Sequence, residues 1–182
     1  MGSISFPQGA LLASIRCIRA LALAVLALIV LGTPAAAQTV NRYTNTTDSA
    51  SGAISNAAYP CSSPFTRSVT VGSSYYVGDV NVGVLMAHNT RSDITMYLVS
   101  PDGTRVQLTA AQGGTANHFN LTFDDEAGSS VSAYTAGSTA TATTAVPPYS
   151  ASYRPLSALT AFDGTNAAGT WTLEICDTAS AT

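Results

Sequence analysis

Between His88 and Leu108 the chain reads HNTRSDITMYLVSPDGTRVQL, and this run constrains the fold more than any other. Ile94, Met96 and Leu98 alternate with Thr95, Tyr97 and Val99, so the segment presents one set of side chains to each face of a strand. Ser100-Pro101-Asp102-Gly103 then forms a turn signal. Pro101 presets φ at the first corner, Asp102 can bond its own backbone, and Gly103 tolerates positive φ. Val106 and Leu108 resume the alternation, which predicts a β-hairpin. Near the other end, GTWTLEICD at 169–177 repeats the pattern, with Trp171, Leu173 and Ile175 on one face and Thr172, Glu174 and Cys176 on the other.

The remaining chain reads in the same way. Phe65–Val71 and Phe119–Phe123 are predicted strands, and Val77–Ala87 is a third with Val80, Val82, Val84 and Met86 on one face. Gln112–Asn117 is a loop. Ala127–Ser152 is a long excursion of Ser, Thr, Ala and Gly with one expected strand around Val131–Tyr134, and Leu156–Phe162 is a short element. Short strands with frequent turn signals, and no sustained helical period in this part of the chain, predict an all-β sandwich. Trp171 is expected to anchor its core.

The N-terminus has the order of a secretion signal. Arg16 and Arg19 supply the basic part, Ala20–Leu31 is an unbroken apolar run, and Thr33-Pro34-Ala35-Ala36-Ala37 ends in a small-x-small cleavage pattern before Gln38. The apolar run is short for a membrane span, so no stable span is expected after cleavage, and the product is expected to be secreted, periplasmic or on the cell surface. The expected organisation is a signal peptide at 1–37, a linker or loose first strand at 38–60, and one domain at 61–182. Beyond the signal only five arginines and no lysines remain, scattered along the chain. That spacing argues against a nucleic-acid groove or an anionic membrane surface as partner. Two cysteines also remain, Cys61 and Cys176, and an exported pair reads as a disulfide. A reactive thiol would need a basic or histidine-rich neighbourhood that neither position has in the sequence.

A set of short words carries a family resemblance: His88-Asn89-Thr90 leading to Asp93-Ile94; Leu98, Ser100, Pro101, Gly103 and Thr104; Gly169-Thr170-Trp171 with Leu173 and Asp177; and the pieces Phe123–Ala127 and Tyr153–Leu156. Together they resemble the P domain (Homo B domain) of subtilisin-like proprotein convertases and secreted bacterial serine proteases, over roughly Val69 to Thr178. The resemblance implies a jelly-roll, galactose-binding-like β-sandwich. It also implies an accessory role: such domains fold against a subtilisin-like serine endopeptidase domain, stabilise it and influence its calcium and pH behaviour. Family members continue past the position of Asp177 into a further strand, so the domain at 61–182 is expected to lack its last strand. They also follow their protease domain, whereas here the leader runs almost directly into the P domain. The association with proteolysis therefore comes from the resemblance, not from catalytic residues.

No catalytic set is expected. The chain holds two histidines, His88 and His118, and neither sits in a protease-like word. His88 could pair with Asp93 by proximity, but turn bonding is the expected use, and His118 is expected to be a surface or loop residue. Resemblance to the P domain points to calcium at Asp93, Asp125 and Asp177, an oxygen-rich set of the kind that ion prefers. As residues, the same acids read equally as turn and strand-end caps. Cys61, Cys176 and His88 lack the close ligand spacing of a zinc site. Tyr43, Tyr59, Tyr75, Tyr76, Tyr134, Tyr149 and Tyr153 could stack on sugar or protein surfaces. A stand-alone module binding cell-surface glycan or protein through Tyr134 and Tyr149 is thus the rival function, although most of the tyrosines are expected to cover sheet edges.

Overall fold

The computed structural model describes residues 2–7, 39–45, 54, 58–135, 149 and 151–179. Its strands follow the alternating runs. In chain order they are β1 (Gly2–Pro7), β2 (Val40–Asn45), β3 (Phe65–Val71), β4 (Asn81–Met86), β5 (Ile94–Val99), β6 (Arg105–Ala110), β7 (Phe119–Phe123), β8 (Ser152–Tyr153) and β9 (Gly169–Asp177). They form two sheets, one ordered β2-β1-β4-β7-β8 and the other β3-β9-β5-β6. The domain is a β-sandwich, antiparallel throughout except where β7 runs parallel to β8. No described helix is long and apolar enough to cross a membrane.

Two faces of alternating side chains close the core between the sheets. Val82, Val84, Phe119, Leu121 and Phe123 come from one sheet, and Ile94, Met96, Leu98, Val106, Leu108, Trp171 and Leu173 from the other; all are buried in one cluster. The two longest motif words pair directly, with Leu98 opposite Leu173 and Met96 opposite Ile175. Trp171 is fully buried, donates its indole N–H to the Ala167 carbonyl at 2.8 Å, and meets the Phe162 ring edge-on at 5.1 Å.

The turn after β5 is built as its residues suggest. The Ser100 hydroxyl donates to the Asp102 carboxylate, which also accepts the Thr104 N–H at 3.0 Å and is held below the usual carboxylate range by these bonds, that of Ser100 foremost. Pro101 lies against Gly169. A Cβ at Gly169 would sit 2.6 Å from the Pro101 Cβ, and the residue's φ of 125° is one that side-chain-bearing residues rarely adopt. The Gly that opens the Gly-Thr-Trp word is therefore fixed by the Pro of the Ser-Pro-x-Gly word.

Some expectations are corrected. Val131–Ala133 is a 3-10 turn, not a strand, because the Ser130 hydroxyl accepts the Ser132 N–H and the chain closes on itself there. Leu159–Phe162 is likewise a 3-10 turn. The strand expected over Val77–Ala87 is confined to Asn81–Met86, since Val77 bonds the Gly164–Thr165 loop on both its N–H and C=O. In the segment expected to be a linker or loose first strand, Val40–Asn45 is a strand, β2. Residues 8–37 of the expected signal peptide lie outside the described residues. Gly2–Pro7, from its first part, form β1 between β2 and β4.

Candidate functional site

At one end of the sandwich, the chain leaving β4, the entry to β5 and the end of β9 meet around a cavity of about 390 Å³. His88, Thr90, Asp93, His118, Asp177 and Ile54 line it. The ladder dictates the meeting, because Ile94 at the start of β5 pairs with Asp177 at the end of β9. The His-Asn-Thr and Trp-x-Leu-x-x-x-Asp words, 89 residues apart from His88 to Asp177, thus converge on one spot.

His88 is the hub. Its Nε2 lies 3.4 Å from the Asp177 carboxylate and 3.1 Å from the Ile54 carbonyl, and its Nδ1 lies 2.8 Å from the Thr90 carbonyl. Its side chain is 11% exposed and that of Asp177 is 6% exposed. The backbone N–H of His88 donates to His118 Nδ1 at 3.1 Å, and the His118 N–H returns to the His88 carbonyl at 2.8 Å. His118 holds a φ of 58°, in the left-handed region, to make this reciprocal pair. His88 does use the turn bonding its sequence suggests, but its acidic neighbour is Asp177, not Asp93. The Asp93 carbonyl instead accepts the Thr178 N–H at 2.6 Å and its hydroxyl at 3.0 Å.

Asp177 is fixed from several sides. Its carboxylate accepts the Ala179 N–H at 2.7 Å, its own N–H donates to the Tyr59 carbonyl at 3.1 Å, and its neighbour Cys176 is disulfide-bonded to Cys61 across a Cα–Cα distance of 4.9 Å. The disulfide joins the entry of the domain to its last described strand. Beneath the site Arg91 is fully buried. Its guanidinium donates to the carbonyls of Tyr134 at 2.6 Å and Asn117 at 3.3 Å and stacks 3.8 Å from the Tyr134 ring centroid. Burial lowers its pKa. Nothing in the sequence around Arg91 announces this, since Tyr134 is 43 residues away.

The residues expected to hold calcium do not form one ligand set. Asp93 and Asp177 border the His88 cavity, while Asp125 accepts the Thr160 N–H at 2.9 Å and interacts with a different group of acids. Among the described residues no three His, Cys, Asp or Glu side chains gather as metal ligands.

That second group is an acidic cluster that sequence reading sees only in part. Burial raises the pKa of Asp79, as do the nearby charges of Asp124, Asp163 and Asp125. Burial and the charge of Asp125 raise Asp163, and a hydrogen bond to Asp124 foremost raises Glu126. Folded carboxyls with raised pKa hold protons that the unfolded chain releases. Their penalty is therefore full above the folded pKa and disappears below the ordinary carboxylate range, about pH 4. Asp163→Asn is accordingly expected to raise the melting temperature at neutral pH and to give no gain near pH 3.5, about half a unit below that range. Thermal melts across pH check this; an equal gain at both ends would contradict the repulsion.

Two tyrosines expected at a glycan surface are buried, Tyr134 at 6% exposed and Tyr149 at 7%. Tyr134 stacks under Arg91 and donates its N–H to Val131, and Tyr149 lies over Gly83, so neither presents a ring to a sugar. Tyr76, at 74% exposed, is the tyrosine that does face solvent among those described.

Comparison with known proteins bears on this geometry. The family model described as proprotein convertase P-domain matches residues 77–182, a span that includes His88, Asp93, His118, Asp177 and Cys176. No curated protein sequence matches the chain. Among solved structures the chain is similar to a serine protease of Aeromonas sobria at 23% identity and a TM-score of 0.39, covering 65% of this chain and 17% of that one. The same protease in complex with its chaperone matches at 23% identity and a TM-score of 0.38, with the same coverage. The chain thus spans about a sixth of the length of those proteases.

Proposed function

The chain belongs to the proprotein convertase P-domain family, and from that premise we propose that it is an exported accessory domain that docks on a subtilisin-like serine protease domain and stabilises it. The observation that carries this reading is the family match over 77–182, whose first and last motif words supply both sides of the His88 site. That site does structural work. It ties the strand ends of both sheets together through His88, His118 and Asp177, and the disulfide fixes the entry to β3 against the end of β9, leaving a rigid end for a partner to meet. Export is the reading of the leader-like pattern up to Ala37, and a disulfide-bonded domain supports it.

The test pairs the purified chain with secreted proteases of its own host. Complexes captured on the chain are labelled with a fluorophosphonate, which reacts with active serine nucleophiles. The expected result is a labelled protease whose activity survives heating longer with the chain bound than after it is removed. Captured complexes without a labelled protease, or a protease with the same half-life either way, would overturn the reading.

A further inference from the structure

Strand β4 is built as an interior strand. Of its residues, Val82, Gly83, Val84, Leu85 and Met86 are all buried, so both of its faces are covered. It carries no charge, proline or bulge of the kind that protects a free sheet edge. On one side β7 pairs with it; on the other side the partner is β1, with Ser5 opposite Asn81, Ile4 opposite Val82, Ser3 opposite Gly83 and Gly2 opposite Val84. Ile4 is buried in the core cluster and, with Val69, Val82, Arg67 and Leu173, borders a small recess. The fit at Gly83 is closer still, because a Cβ there would overlap the Tyr149 ring and lie 3.4 Å from the Ser3 Cβ. The Tyr149 ring thus keeps a side chain off Gly83, while Ser3 across the ladder lies at ordinary contact distance.

On the exported reading, β1 leaves this position. Its residues precede Arg16 and Arg19, the basic part of a leader that stays on the cytoplasmic side while the domain crosses. Strand β2 cannot simply follow it. Asn45 of β2 donates its side-chain amide to the Ser68 carbonyl of β3 at 2.8 Å, and Tyr43 meets the Tyr75 hydroxyl at 3.4 Å, which ties β2 to the flank of the other sheet. Strand β2 also runs parallel to β4, opposite to the direction the β4 edge accepts here. What export leaves is a gap one strand wide between β4 and β2.

We propose that this gap is a strand-acceptor site, filled in the exported protein by an extended segment of the partner polypeptide. The segment runs antiparallel to β4 and carries a branched aliphatic residue opposite Val82, where Ile4 is buried against the core. The proposal rests on the reading of the chain as exported and gives that reading's docking step a defined chemistry. Main-chain bonds to β4 supply affinity, and the buried position that Ile4 occupies supplies selectivity.

The test uses the full chain with a specific protease site inserted in 8–37, folded first and then cut, so that β1 can leave. Uptake of a fluorescent peptide with the sequence of Gly2–Pro7 is followed by anisotropy. The expected result is saturable one-to-one uptake by the cut chain and none by the uncut chain. A peptide in which Ile4 is replaced by Asp should bind at least tenfold more weakly, about 1.4 kcal/mol. No uptake, equal binding of the Ile4→Asp peptide, dimerisation of the cut chain, or peptide-free protection of those Val82–Val84 amides that face away from β7 would each overturn the proposal. The last two would show a second copy or β2 in the gap. N-terminal sequencing of the exported product separates the two readings: a start at Gln38 supports export, and a start near Gly2 overturns export whatever the peptide does.

Discussion

Replacing Cys61 and Cys176 together by alanine is expected to destabilise the domain by about 4–5 kcal/mol, a large part of the stability of a domain this size. The two residues are separated by 115 positions, and closing so long a loop removes much of the unfolded chain's freedom. The bond also acts locally. Cys176 is buried at the end of β9, and the next residue, Asp177, carries the carboxylate facing His88. Loss of the bond should therefore speed amide exchange first in Ile94, which pairs with Asp177, and in His118, whose N–H reaches the His88 carbonyl. Urea denaturation of the oxidised protein and of the double variant measures the stability difference. In the denatured full chain, thiol titration should find Cys17 alone free until reductant is added. Equal midpoints for the two proteins would show that the bond constrains nothing.

Much of the fold was legible because a strand with one buried face writes its period into the sequence. Phe65–Val71, Phe119–Phe123 and the Ile94–Ala110 hairpin needed only alternation and a turn signal. The errors fell where alternation was weak or local bonds competed with it. Val131–Tyr134 has too few residues to distinguish a strand from a single turn, and Ser130 decided for the turn by capping it. Strand β2, Val-Asn-Arg-Tyr-Thr-Asn, is polar on both faces, which leaves linker and loose strand undecided; it is held by β1 and by side-chain bonds to the opposite sheet.

The site was legible as words but not as contacts. Proximity in sequence suggested Asp93 for His88, yet the β5–β9 register brings Asp177 to it. Register is a property of the whole sheet, and no local spacing reports it. The same holds for Arg91 beneath Tyr134 and for Asp79 among Asp124, Asp125 and Asp163, each brought together by the sandwich from separate segments. The buried tyrosines show the converse. A Ser- and Thr-rich excursion suggested exposed rings, but Tyr134 and Tyr149 turn inward because Arg91 and the bare face of Gly83 give them aromatic-sized partners.

Trp171→Ala is expected to cost about 3–5 kcal/mol, the range for deleting a large aromatic from a core that cannot collapse around the hole. Trp171 sits between two rigid walls. On one side is Val69 on the paired β3, and on the other is the Phe162 ring at the end of the 3-10 turn. The indole N–H also tethers the Ala167 carbonyl, which holds the 164–169 loop over the sheet. Trp171→Phe separates these roles, because it keeps most of the ring volume and removes the donor. Its expected cost is smaller, about 1–3 kcal/mol for a buried acceptor left without its partner. Urea denaturation should therefore order the midpoints wild type, Trp171→Phe, Trp171→Ala, with slopes unchanged if each variant still unfolds in one step. If the Phe variant falls as far as the Ala variant, the bond to Ala167 outweighs the packing of the ring. The Gly-Thr-Trp word then owes its Trp to the indole nitrogen, whose bond adds to those from Tyr75 and Val77 in holding the loop that presses Gly169 against Pro101.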